Sequence, residues 1–173
     1  AIRWLQYVQG SKVKYNNAMA DMIILAWHTG VRAEDLCSLT VDQVRYDPEN
    51  SVVWLMITGG KTKANTRSIP VLSPEAINIL NQRVKAAQEN TLFYEIPPEK
   101  ASGKRYARLQ RKINPLRKKA LGNIPVDFHS FRRAFSNACE AASLDPVQWS
   151  RMMGHEAPTC LLYTSDAADD LFR

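Results

Sequence analysis

The segment NNAMADMIILAWHTG (16–30) constrains the fold more than any other part of the chain. Its stretch Met22–Trp27 is apolar without interruption and leaves no solvated face, so it reads as a buried helix, started at the asparagines and stopped at Gly30. The segments around it carry shorter, amphipathic signals. RAEDLCSL (32–39) reads as a short second helix. SPEAINILNQRVKAAQEN (73–90) opens on Ser-Pro-Glu, a helix-start signature. SGKRYARLQRKINPLRKKALG (102–122) reads as a basic helix broken at Pro115. DFHSFRRAFSNACEAASL (127–144) reads as a helix with Phe128, Phe131 and Phe135 on its apolar side, and DPVQWSRMMGHEA (145–157) as a short helix stopped by Gly154. Only SVVWLMI (51–57) and TRSIPV (66–71) are β-rich, and TGGKTK between them makes a hairpin. The expected fold class is α+β, mainly helical, with one small antiparallel β-sheet or hairpin.

At 173 residues the chain has room for one domain with a real core. No apolar run approaches a membrane span, so no membrane partner is expected. Cys37, Cys139 and Cys160 lack metal-ligand spacing and leave an odd thiol, which favours a reducing cytosol. Three scattered histidines do not make a zinc site, so neither metal nor cofactor is expected. The net charge of +6 is uneven. Residues 1–159 hold 22 Lys and Arg against 14 Asp and Glu, or +8, and the cations cluster at 59–67, 100–112, 117–119 and 132–133. Such blocks suit a surface that meets nucleic-acid phosphates, because released counterions drive that binding. By charge alone, a solvated and mildly basic surface is an equal reading.

Single polar residues are weak signals. Arg32, after the Thr-Gly turn, has the ordinary reading of a capping arginine, and Lys61 that of a turn lysine. His129 and Arg132, three apart, share a helix face. His155 follows Gly154 where a helix dipole favours an imidazole. Their order is more specific. TGVRAEDLCSLTVDQV, then GGKTKANTRSIPV, then HSFRRAF, then MMGH, resembles the catalytic domain of the tyrosine recombinases, the phage-type integrases, over roughly Asn17 to Thr159.

That resemblance implies an integrase-type catalytic core acting on double-stranded DNA. It implies Arg32, Lys61, His129, Arg132 and His155 as catalytic residues, Asp35 as their support, and a tyrosine that attacks the phosphodiester to give a 3′-phosphotyrosyl intermediate without metal or nucleotide. It implies DNA integration or recombination by a mobile element, in a prokaryotic or phage-encoded cytoplasmic protein, with a homo-tetramer on DNA for the full-length parent. A type IB topoisomerase shares the chemistry, and LDPVQWSRMMGHE as part of a helix-turn-helix would make a non-enzymatic DNA-binding module; both are alternatives.

Tyr163 is the candidate nucleophile, eight residues after His155, where the family places its tyrosine nine after and Thr164 stands here. One residue along a helix moves a side chain about 1.5 Å and turns it about 100°. CLLYTSDAAD (160–169) is also the translation of TGTCTCTTATACACATCTGACGCTGCCGAC, a transposase-type library adapter. The expected organisation is therefore a catalytic-domain fragment over 1–159 and a non-native tail over 160–173, adapter read-through that replaces the native tyrosine and leaves this copy inactive.

Overall fold

A computed structural model of the chain describes residues 2–58 and 66–154. Seven helices and three strands follow in the order α1 (Ile2–Gln9), α2 (Asn16–Thr29), α3 (Ala33–Cys37), β1 (Val44–Asp47), β2 (Val52–Ile57), β3 (Arg67–Val71), α4 (Pro74–Ala86), α5 (Tyr106–Leu121), α6 (Phe128–Ala141) and α7 (Pro146–Met153) among the described residues. The α+β, mainly helical expectation holds.

Helix α2 is the hub. Met19, Met22, Ile23, Leu25 and Ala26 are almost wholly inaccessible, and α1, α3, α4 and α6 pack against it. It ends as the sequence indicates. Gly30 takes a left-handed φ of 62° and its N–H returns to the Ala26 carbonyl at 3.0 Å. Thr29, also buried, donates its hydroxyl to the Leu25 carbonyl at 2.6 Å and accepts from the Val31 N–H at 3.3 Å. The chain thus leaves α2 in a fixed direction, with Arg32 as the residue preceding α3.

The strands form an antiparallel sheet in the order β1-β2-β3. Val53 pairs with Val71, Leu55 with Ile69, and Ile57 with Arg67. Side chains alternate across a strand, so the buried set Val53, Leu55, Ile57, Ile69 and Val71 shares one face. Arg67 falls in phase with that set and is itself buried. Pro70, which lacks an N–H for the ladder, is tolerated because β3 is an edge strand.

Four elements depart from the sequence reading. Helix α1 carries Trp4 and Val8 into the core, Trp4 stacking on Phe131 at 5.5 Å between centroids and meeting Phe128 edge-on at 5.7 Å. Strand β1 adds a third strand to the hairpin. Helix α5 runs unbroken through Pro115. Proline removes one helical hydrogen bond, but Pro115 faces solvent while Leu109, Ile113 and Leu116 are buried to either side, and their packing keeps the two turns together. Helix α4 also stops at Ala86, with an irregular turn over 87–92. Its Arg83 lies over the Phe93 ring and pairs with Asp21 of α2 and with Glu95.

Gly30 gives a test of the hub's exit. A Cβ there would lie 2.8 Å from the Phe135 ring, on a backbone L-residues avoid. Gly30→Ala is expected to cost about 2–4 kcal/mol in urea unfolding. Gly103→Ala, at φ 67° but in open space, should cost only about 1 kcal/mol. Equal losses would contradict the close approach.

Candidate phosphate-binding site

The apolar face of α6 determines what its other face can do. Phe128 and Phe131 are buried against Trp4, and Tyr106 meets Phe128 edge-on at 5.5 Å. One residue further round the helix, about 100° away, stand His129 and Arg132. The helix start is fixed by a capping box in which Asp127 accepts from the Ser130 N–H at 2.9 Å while Ser130 accepts from the Asp127 N–H at 3.1 Å. His129 is therefore held at the exposed first turn, and Arg132 is carried inward to 4 % exposure.

Arg132 bridges two parts of the chain. It donates to the Gly30 carbonyl at 3.1 Å and, on its other side, to the Met153 carbonyl at the end of α7. Carbonyls at a helix C-terminus carry partial negative charge, which suits a guanidinium. Burial, then the nearby charges of Arg32 and Arg67, pull Arg132 down from the usual guanidinium range to about 10, while Asp35 acts in the opposite sense. Arg132 thus stays cationic at neutral pH, in a setting where a further negative charge is favourable.

Arg32, His129 and Arg132 line one cleft of about 310 Å³, whose walls also include Glu34, Tyr106, Gln110 and Asp127. Both carboxylates in the wall serve helix starts. Asp127 caps α6, and Glu34 accepts from the backbone N–H groups of Arg105 and Tyr106, both at 2.9 Å. Glu34 thereby anchors the start of the basic helix α5 two residues from Arg32. Asp35 lies behind the cleft, where it accepts a charge-assisted hydrogen bond from Arg67 at 2.9 Å. The charges of Arg32 and Arg67 act on Arg132 against that of Asp35, and the cleft wall adds the carboxylates of Glu34 and Asp127; the six groups sum to 3 − 3 = 0, so the attraction for an anion is local to the guanidiniums.

The structure thus brings Arg32, Asp35, His129 and Arg132 into one neighbourhood. Lys61, His155 and Tyr163 lie outside the described residues. Gly154, which precedes His155, is left-handed at φ 64°, and a Cβ on it would come within 3.1 Å of the Arg67 guanidinium. The left-handed turn thus favours glycine, and a larger residue would make Arg67 give way by a few tenths of an ångström. His28 lies elsewhere, lining an apolar cleft with Ile2, Leu5 and Trp27. Cys37 and Cys139 are buried free thiols, and burial pushes both above the ordinary thiol range. Among the described residues no cluster of His, Cys, Asp and Glu could hold a metal ion, and no helix is long and apolar enough to cross a membrane.

Sequence reasoning missed Arg67 and Glu34. Arg67 left one signal: it sits two and four residues before Ile69 and Val71, in phase with the core face of its strand. Glu34 left none, because its partners are backbone groups some seventy residues away.

The phage integrase family model matches residues 4–167. The chain belongs to the phage integrase family. Among solved structures, this integrase-family chain is similar to the Tn1549 transposon integrase in complex with transposon right-end DNA (24% identity, TM-score 0.58, covering 88% of this chain and 55% of that one). It is also similar to the XerH site-specific recombinase bound to its difH substrate (17%, TM-score 0.66, 96% and 50%) and to the XerA recombinase (19%, TM-score 0.61, 99% and 59%). At these identities the likeness is one of fold, and the chain spans half to three-fifths of the length of those proteins. No curated protein sequence matches it.

Two measurements probe the site as drawn. Inorganic phosphate at about ten times its dissociation constant should stabilise the chain by about 1.4 kcal/mol, raising the thermal midpoint by about 3–5 °C at constant ionic strength; Arg132→Gln should abolish the response. Tyr106 tests the cleft wall by pH. Burial first, then the charges of Asp127 and Cys37, push its phenol up to about 12. The unfolded phenol, at about 10, releases its proton earlier, so this contribution to stability is intact below about pH 10 and is lost as pH rises to about 12. Tyr106→Phe should remove that component of the alkaline slope in denaturant titrations, and an unchanged slope would contradict it.

Proposed function

We propose that this chain is the catalytic-domain portion of an enzyme that cuts and rejoins DNA at specific sites through a 3′-phosphotyrosyl intermediate, in the service of recombination or integration. The observation that supports it most is the gathering of Arg32, His129 and Arg132 around one cleft from segments a hundred residues apart. The other known-family traits, a homo-tetramer on two duplexes and a prokaryotic or phage-borne cytoplasmic host, belong to the same proposal.

The chemistry follows from those groups. Arg32 and Arg132 hold the non-bridging oxygens of the scissile phosphate through forked, permanently charged donors and stabilise the charge that builds there in the transition state. His155 adds a further donor to the same oxygens. A tyrosine hydroxyl attacks phosphorus while His129 assists removal of its proton, since a phenol of ordinary acidity is a weak nucleophile. The new P–O bond to tyrosine forms as the bond to the 5′ oxygen breaks, and Lys61 protonates that departing oxygen. The phosphotyrosyl ester retains the energy of the broken bond, so reversal by a 5′ hydroxyl rejoins the strand without nucleotide or metal. Asp35 orients rather than reacts.

Residues 160–173 belong to the same reading as a non-native tail, which makes Tyr163 a substitute for the family's tyrosine rather than its equivalent. Denaturant-stable protein–DNA adducts on a nicked duplex test both parts. The 173-residue chain is expected to bind the duplex and form no adduct. The chain carrying its natural continuation after Thr159 is expected to form one, and Arg132→Ala in that background to reduce adduct formation by at least about 100-fold while affinity changes only a few-fold. Loss of affinity with no separate loss of cleavage would indicate a binding module. An adduct mapped to Tyr163 would refute the reading of the tail.

A further inference from the structure

Arg67 has no part in the chemistry just described, yet it is among the most constrained side chains in the molecule. It is a charged residue at a core position of β3, 7 % exposed, opposite Ile57. Its Nε donates to the Met152 carbonyl at 3.0 Å, and its Nη2 donates to Asp35 Oδ2 at 2.9 Å. The neighbouring carbonyl, that of Met153, is the one taken by Arg132. Two guanidiniums thus hold consecutive carbonyls at the end of α7, one reaching from the sheet and one from α6. The residue after those carbonyls, Gly154, approaches Arg67 so closely that a methyl group would crowd its guanidinium. Asp35, the other partner, sits one turn into the short helix that begins after Arg32.

We propose that Arg67 is a positioning residue for the phosphate cleft: it ties the Arg32–Asp35 turn to the end of α7, and so sets the spacing of Arg32 and Arg132 and the direction in which the chain leaves Gly154. This rests on the reading of the cleft as a DNA-phosphate site. Arg67 contacts no DNA in this scheme. A planar fork with donors on Nε and Nη2 makes both contacts at once; a lysine, with one nitrogen on a flexible stem, cannot reproduce them.

The test uses the full 173-residue chain and a short blunt DNA duplex, with affinities measured well below each variant's unfolding midpoint. Asp35→Asn is the informative variant. It removes a negative charge from beside the guanidiniums, so by charge alone it should tighten duplex binding. Positioning predicts the opposite, a weakening of about three-fold. Arg67→Gln and Arg67→Lys should weaken binding by a similar factor, with no rescue by lysine, and Asp35→Asn combined with Arg67→Gln should be no weaker than Arg67→Gln alone. Tighter binding by Asp35→Asn, rescue by lysine, or lowered midpoints with unaltered affinity would each overturn the proposal. Arg132→Gln serves as the reference. If it weakens binding while Asp35→Asn strengthens it, the Arg67 proposal alone fails. If Arg132→Gln leaves affinity untouched, the phosphate-site reading fails, and the positioning role with it.

Discussion

A buried guanidinium joins the three segments from which the candidate site is built. Arg132 leaves α6, enters the interior, and is held between the carbonyl of Gly30 and the last carbonyl of α7. Removing a charge from water costs several kcal/mol unless hydrogen bonds replace the lost hydration. Here the replacements are main-chain oxygens at fixed places, one in a left-handed turn and one at a helix terminus. The arrangement therefore works in both directions. The turn and the helix end hold the arginine, and the arginine prevents the two from drifting apart.

A site organised in this way is prepared before its ligand arrives. Burial first, and then the like charges of Arg32 and Arg67, disfavour the charged form of Arg132, and Asp35 offsets only part of this. In the proposed function, a phosphodiester held between Arg32 and Arg132 would relieve that repulsion. Because the guanidinium is already oriented by carbonyls behind it, the proposed phosphate binding and transition-state stabilisation would require little reorganisation, the condition under which fixed donors contribute most to rate. The carboxylates in the cleft wall, Glu34 and Asp127, are turned to backbone N–H groups at the starts of α5 and α6, which weakens but does not remove their opposition to an anion.

Much of the fold was legible because its strongest signals are local. The uninterrupted apolarity of α2, the glycine that ends it, the Ser-Pro-Glu start of α4 and the phenylalanine stripe of α6 each report on a few neighbouring residues. What was not legible depends on distant partners. Helix α1 is short, and what secures it is Trp4 stacking on Phe131, over a hundred residues away. Strand β1 exists because β2 offers it an edge. Pro115 reads as a break until the buried residues on both sides of it are seen to share one packing surface. Among the site residues, Arg32, His129 and Arg132 could be named from order and spacing, whereas Arg67 could not, since an arginine in a strand is ordinarily a solvated one. Its burial makes sense only once Asp35 and the end of α7 are beside it.

The most direct measurement is a crystal structure of the chain bound to a short DNA duplex. One phosphorus atom is expected within hydrogen-bonding reach of both Arg32 and Arg132, with His129 at the rim of the same cleft and the Arg132 contacts to Gly30 and Met153 retained. DNA seated on another face, or a duplex whose phosphates meet Arg32 while Arg132 remains turned wholly inward, would contradict it.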